Sequence, residues 1–373
     1  MSSLAIVPVR TSSELERFIR LPERLYAGDP CFIAPLRVEC RQTLSPRKNP
    51  YFEHAEAQLF LAQRAGRDVG RISAQIDRLA TESEGHFGFV AAEDDGEVFH
   101  ALFAAAEEWL RARRRRRAIG PFSLSINEQS GLLVDGFDTP PMMLMPHDPP
   151  YAAQRLEGCG YAKAKDMIAY LYDIERDLPR AARRLVDTRK PAALNVRGLD
   201  MGRYVEEFDV ITALFNEAWA ANWGFIPFTE AEIRHMTKSL KPLIAPSGVA
   251  IAEIEGKPAG FGVLLPNLNE VIADFKGRLL PFNWLTLLLR LKRGTRTARV
   301  PLMGIRPEYQ GGVLGGLIAF LIIDRLREGA RARGIERVEL SWILEDNWAM
   351  RRVIESLGAV PYKTYRLYEK ALA

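Results

Sequence analysis

The chain has 373 residues, 47% hydrophobic and 26% charged, enough for two globular domains with a core in each. A formal net charge of only +4 excludes a molecule-wide polyanion binder. Cys31, Cys40 and Cys159 sit at spacings that suit neither a zinc site nor a disulfide framework, so no metal centre is expected and a reducing, cytoplasmic setting is.

In chain order, a short apolar run at 6–9 precedes helical segments reaching to about residue 44. Strand patterns follow at 57–62, 69–76 and 86–91, the first two separated by a turn at Gly66 and Asp68. Phe99, Leu102, Phe103, Ala106, Trp109 and Leu110 keep the 3.6-residue period of an amphipathic helix. Residues 119–126 read as a strand, 131–150 as a proline-rich irregular loop, 150–156 as a helix and 168–174 as a strand. An arginine-rich stretch at 175–199 predicts a linker, so the domains are placed at 1–175 and 201–373 with the linker at 176–200. The second block opens with helices over 202–243. Strands at 249–254 and 259–265 come next, then an insertion rich in Leu, Phe and Trp and a strand at 298–305. A glycine-rich turn leads into a long helix to about residue 333, and a strand at 338–344, a helix at 347–357 and a strand at 362–369 follow.

The halves share an order of elements and some spacings. Ala62, Gly66 and Gly70 match Ala252, Gly256 and Gly260, and the helix end at Leu156, Glu157 and Gly160 matches Ile354, Glu355 and Gly358. A divergent tandem duplication accounts for both.

The most informative segment runs over 303–316: a strand, then Pro307, Tyr309 and Gln310, then Gly311, Gly312, Gly315 and Gly316 opening a helix. Glycines at such a turn let backbone N–H groups approach an anion, and the helix N-terminus adds partial positive charge. With the strand, helix and Gly358 that follow, this segment resembles the coenzyme A loop of the GNAT superfamily of N-acyltransferases, over about 201–373 and more faintly over the first half. The resemblance implies an α/β fold of two tandem GNAT-like domains, each a mixed, mostly antiparallel sheet flanked by helices. It implies acetyl-CoA or another acyl-CoA as co-substrate. Met303, Gly304 and Ile305 would pair with the pantetheine arm, Gln310, Gly311, Gly312, Val313, Leu314, Gly315 and Gly316 would hold the pyrophosphate, and Asn347 would meet the cofactor arm or the acceptor. Val313 stands where the family pattern has glycine, and Ile354 where a general-acid tyrosine is frequent. The first half has an acidic turn at 93–97 in place of the loop, which would repel a pyrophosphate.

Asn216, Trp219, Asn222, Trp223 and Phe225 form a dense aromatic and amide cluster that either lines an acceptor site or packs as a helix terminus, with Thr229 and Glu232 spaced as a capping box. Acyl transfer requires a base for the amine and a proton for the thiolate. Glu345 is the first candidate base, Asn347 a polar partner, and Tyr365, among Tyr362, Tyr365 and Tyr368, a candidate acid; Asp346 or Asn347 is also expected to cap the following helix. The expected acceptor is a small-molecule or peptide amine. The arginine run at 111–117 lacks interleaved aromatics and reads as a helix C-terminus, not a nucleic-acid patch. The apolar stretch 279–289, followed by Arg290, Lys292 and Arg293, suits a membrane surface, an acyl-pocket wall or the core equally. Alternatives are a tRNA-dependent aminoacyl transferase of the Fem type, from the duplication and basic clusters, and a non-catalytic coenzyme A sensor or scaffold, from Val313 and Ile354.

Overall fold

The computed structural model describes every residue except 1–2, 177–178, 181–182, 185–187 and 189. The first stretch runs β1 (Leu4–Pro8), α1 (Ser12–Leu25), α2 (Arg37–Thr43), β2 (Ala55–Arg64), β3 (Arg67–Asp77), β4 (Glu84–Ala92), α3 (Gly96–Arg111), β5 (Arg117–Gly120), β6 (Leu132–Asp135), α4 (Tyr151–Gly158) and β7 (Ala162–Asp173). Next come β8 (Leu194–Arg197), α5 (Tyr204–Trp219), α6 (Glu230–Leu240), β9 (Val249–Ile254), β10 (Lys257–Pro266), α7 (Leu268–Ile272) and α8 (Asn283–Arg293). The remainder is β11 (Thr297–Ile305), α9 (Gly312–Ala332), β12 (Arg337–Leu344), α10 (Trp348–Ser356) and β13 (Val360–Ala371).

Two compact units result: Met1–Met167 with Ile272–Leu288 and Lys363–Ala373, and Ile168–Val271 with Leu289–Tyr362. They are discontinuous where the sequence suggests contiguous blocks, because β13 pairs antiparallel with β5, Tyr368 opposite Gly120, and with β6, Tyr365 opposite Leu133. Part of the expected linker lies outside the described residues. Its described portion contains β8, which pairs with β9 from Leu194 opposite Ile254 to Arg197 opposite Ile251. Leu194 is buried and Asn195 exposed, the period-two pattern of an edge strand.

In the first unit the strand order is β1-β2-β3-β4-β5-β13, and in the second β12-β11-β10-β9-β8. Each sheet is antiparallel except for one parallel pair, β4 with β5 and β11 with β12. Such a pair needs a crossover, supplied by α3 in the first unit and α9 in the second.

The repeat is visible in register. Ala62 faces Gly70 across the β2–β3 hairpin, and Ala252 faces Gly260 across β9–β10. Both turns place two successive residues at positive φ, Ala65 and Gly66 at 52° and 73°, Glu255 and Gly256 at 52° and 75°. That conformation matches strand twist and favours glycine at the second position. Both helix ends close alike: the amide of Tyr161 donates to the carbonyl of Leu156 at 3.3 Å, and that of Ala359 to Ile354 at 3.1 Å, beyond Gly160 and Gly358 in the left-handed region. A Cβ on Gly70 would lie 2.7 Å from Leu102 of α3, and one on Gly262 would lie 2.7 Å from Ile322 of α9. Close helix–sheet packing therefore requires these glycines. The first core gathers Phe87, Phe99, Phe103 and Tyr161, the second Ile318, Ile322, Leu326 and Val338.

Two expected elements differ. The strand expected over 119–126 ends at Gly120, before Pro121, which has no N–H to continue the ladder. The loop at 131–150 contains β6, because β13 supplies backbone partners that local sequence does not reveal. The arginine run is engaged locally: Arg111 pairs with Glu107, Arg113 with Glu56 and the Trp109 ring, and Arg117 with Glu84 and Glu369. Among the described residues no helix is long and apolar enough to cross a membrane.

Candidate active site

Strands β11 and β12 run side by side from Thr297 opposite Arg337 to Val300 opposite Leu340, and there the ladder stops. Beyond that point β11 stays bonded to β10, with Met303 opposite Gly262 and Ile305 opposite Gly260. The fork opens into a cavity of about 660 Å³, formed wholly within the second unit.

A buried polar knot holds the fork. Arg299 and Glu339 face each other in register and form an ion pair at 3.5 Å. Arg299 Nε donates to Ser341 Oγ at 2.8 Å, and the Ser341 and Tyr362 hydroxyls both donate to the Glu339 carboxylate. A buried charge is tolerated only when paired and hydrogen-bonded in this way. Two hydroxyl donors and one guanidinium on a single carboxylate make Glu339 a structural clamp.

One face of α9 forms the long wall: Gly312, Gly315, Gly316, Ala319, Ile323, Leu326 and Arg327 all line the cavity. Opposite them stand Val300, Met303, Ile305, Val338, Leu340 and Ile343 of the two strands, with Val353, Ile354 and Leu357 following β12. From Gly312 to Arg327 this face spans roughly 22 Å at about 1.5 Å per residue. Its deep end is polar. Arg327 is buried, its Nη2 donates to the Arg176 carbonyl at 3.0 Å, and its Nη1 lies 3.7 Å from Asp324. Burial also pushes the phenol of the lining Tyr172 above its ordinary value, so it stays protonated.

The mouth lies at the glycine-rich turn. Gly311 and Gly312 have φ of 80° and 58°, and both are exposed. Among the described residues no acceptor receives the amides of Gly311, Gly312, Val313 or Leu314, whereas the Gly315 amide already donates to the Gly311 carbonyl at 3.2 Å. Four outward N–H groups at a helix N-terminus favour a diphosphate.

The sequence-derived residues fall into two groups. Trp219, Asn222, Trp223, Met303, Gly304, Ile305, Gln310, Gly311, Gly312, Gly315, Gly316 and Asn347 line the one cavity. Val313 and Leu314 do not, and the Val313 side chain is exposed, so it does not crowd the mouth. Asn216 and Phe225 are also off the wall, and Phe225 packs against Phe215 with ring centroids 5.8 Å apart. Glu345 is half-buried off the wall, its carbonyl accepting from Arg351 at 2.8 Å, while its neighbour Asp346 lines the cavity. Asn347 caps α10, accepting from the Met350 amide at 3.2 Å. Tyr365 is fully buried in the first unit's sheet and is not among the lining residues.

Two carbonyls on the expected pantetheine strand already accept side-chain hydrogen bonds. Trp219 Nε1 donates to the Met303 carbonyl at 3.2 Å, and Gln310 Nε2 to the Ile305 carbonyl at 2.7 Å. Each carbonyl keeps a second lone pair, and among the described residues the loop amides from Gly311 to Leu314 have no acceptor. Trp219 also meets the Trp342 ring, centroids 5.7 Å apart. Trp342, Ser341 and Arg327 carry no local sequence signal, and Asp346 stands at the wall where the sequence favours its neighbour Glu345 as base. An arginine and a glutamate at matching positions of two apolar strands were the available signal for the knot.

The whole chain is 53% identical to a bacterial ceramide synthase of Caulobacter vibrioides, over 98% of that protein. The chain belongs to that family. Over 96% of its length it is also 46% identical to the protein YghO of Escherichia coli, 93% of which is covered. No family model matches. Among solved structures, a tandem GNAT protein from the clavulanic acid biosynthesis pathway superposes with a TM-score of 0.59 at 16% identity, covering 100% of this chain and 99% of that one. A GCN5-related N-acetyltransferase from Sphaerobacter thermophilus gives 0.56 at 12% identity, covering 98% and 96%. The fold is a tandem GNAT fold, as the glycine turn and the duplicated hairpins imply.

Proposed function

We propose that the chain transfers a long acyl group from an acyl-CoA thioester to the amine of a sphingoid base, in the cytoplasm. The observation that carries this reading is the apolar channel leading inward from a mouth of unpartnered amides. The apolar wall runs roughly 22 Å from Gly312 to Arg327, and the pantetheine arm and then the acyl chain would follow one another along it. Ile354, where a general-acid tyrosine is frequent in the family resembled, becomes part of that apolar wall. The 53%-identical relative is named for ceramide synthesis, which joins a fatty acyl group to a sphingoid amine.

The amides of Gly311, Gly312, Val313 and Leu314 would hold the diphosphate, and Gly316 leaves room beside it. When bound, the thioester supplies an activated carbonyl: the amine nitrogen bonds to that carbon, the C–S bond breaks, and the thiolate takes up a proton. Asp346 is the carboxylate at the cavity wall, and in place of Glu345 it takes the proton that the amine nitrogen sheds on bonding to the carbonyl carbon. Asn347 fixes the start of α10 next to it. Trp219 and Trp342 brace the fork so that the strands stay apart.

The test is purified protein with palmitoyl-CoA and sphinganine, following thiol release and the amide product by mass spectrometry. Stoichiometric thiol and N-acyl product are expected. Product formed only from a palmitoyl carrier protein would overturn the donor, and thiol release without amide would overturn the acceptor.

A further inference from the structure

Helix α8 has a mixed inner face and an apolar outer one. Its half-buried positions are Asn283, Thr286, Leu287, Arg290 and Leu291, while Trp284, Leu285, Leu288 and Leu289 point to water with Lys292 and Arg293. The polar inward side chains are tied down: Asn283 Nδ2 donates to the Arg278 carbonyl and Arg290 Nη1 to the Val271 carbonyl, each at 2.7 Å. Just before the helix, Leu280 and Phe282 are 73% and 78% exposed. A surface helix ordinarily buries its apolar stripe and wets its polar one. Single exposed leucines are unremarkable, but six large apolar side chains within ten residues mark a docking surface. None of the six lines the acyl cavity.

Charge selects the occupant. Lys276 and Arg278 precede the patch, Lys292 and Arg293 end it, and the sequence holds no Asp or Glu between Asp274 and Glu308. A protein groove or a second copy of the same patch would set these cations against apolar or like-charged groups. A bilayer with anionic headgroups satisfies both features, since apolar side chains enter the acyl boundary and the cations remain among the phosphates. Trp284 has the amphipathic ring that settles at that depth. Eleven residues are too few to cross a bilayer, so the helix lies in the plane of the interface.

We propose that Leu280, Phe282 and the outer face of α8 form a docking surface for an anionic lipid bilayer. The surface owes nothing to the acyl-transfer reading, and its test uses no catalysis, so either can fail alone. Full-length protein is sedimented with vesicles of phosphatidylcholine alone and of phosphatidylcholine mixed with phosphatidylglycerol. The mixed vesicles are expected to bind at least about tenfold more tightly. Phe282→Asp combined with Leu288→Glu should lose at least about tenfold of that binding, with an unchanged melting temperature because both side chains are exposed. Lys292→Glu with Arg293→Glu should lose only the preference for phosphatidylglycerol. Wild-type protein left in the supernatant with both vesicles would overturn the proposal, as would equal sedimentation of the Phe282→Asp/Leu288→Glu variant. A concentration-dependent dimer abolished by that variant, without vesicle binding, would assign the patch to self-association instead.

Discussion

If the α9 face is an acyl channel, its depth sets the chain length accepted, and Ile323→Phe tests this. Ile323 lies about 16 Å along the helix from Gly312, and the channel continues for roughly 6 Å to Arg327, at about 1.5 Å per residue. A phenyl ring at 323 would close that last stretch, excluding about five carbons. Each buried methylene contributes about 0.8 kcal/mol, so the full loss approaches roughly 4 kcal/mol. Bending of the chain recovers part of it, leaving an expected fall of about 10² to 10³ in kcat/KM for sixteen-carbon donors relative to ten-carbon ones. The assay is thiol release across an acyl-CoA series, with the melting temperature as a control for overpacking of a buried position. A uniform decline at all chain lengths would refute the channel, because it would show damage to the fold and no change in depth.

Other perturbations separate the mouth, the base and the scaffold. A Cβ on Gly316 meets nothing within 4 Å, whereas one on Gly315 lies 2.7 Å from the Tyr309 carbonyl. Gly316→Leu should therefore abolish coenzyme A binding in calorimetry while melting no lower than wild type, since leaving glycine in a helix gains up to about 1 kcal/mol; full binding would place the diphosphate elsewhere. Asp346→Asn should lower kcat by about 10²-fold or more with KM little changed, and Glu345→Gln should stay near wild type; the reverse ranking, read in the same steady-state assay, would return the role to Glu345. Asp148 is buried, accepts from the Leu133 amide at 3.0 Å, and has its pKa pushed up to about 7 by desolvation. Unfolded it titrates near about 3.9, so its stabilising contribution is full below about pH 4 and falls as pH rises toward about 7. Asp148→Asn keeps an acceptor for that amide and should gain melting temperature relative to wild type over this interval. A difference independent of pH would contradict the assignment.

Local chemistry explains what was legible. Gly66, Gly256, Gly160 and Gly358 all occupy positive φ, a demand that few other residues meet, so hairpins and helix ends announced themselves and exposed the duplication. The glycine turn at 311–316 was legible for the same reason. The cavity wall was not, because Ile354, Trp342 and Arg327 face it only through the fork between β11 and β12, a matter of long-range register. Glu345 and Asp346 are adjacent, and which one reaches the wall depends on how β12 leaves the sheet. Strand β8 sat among arginines that suggested a linker, and β6 sat among prolines; each is a strand because another strand lies alongside. The stretch 279–289 was correctly seen as apolar, but composition alone did not say that it faces outward.

The sheet of the first unit has a consequence for biosynthesis. Arg117 of β5 pairs with Glu369 of β13 across 252 positions of sequence. While the nascent chain is short, β5 has an unsatisfied edge beside buried apolar side chains, an invitation to wrong partners. That edge is covered only once Lys363–Ala373 has left the ribosome, so the half translated first is among the last to be sealed.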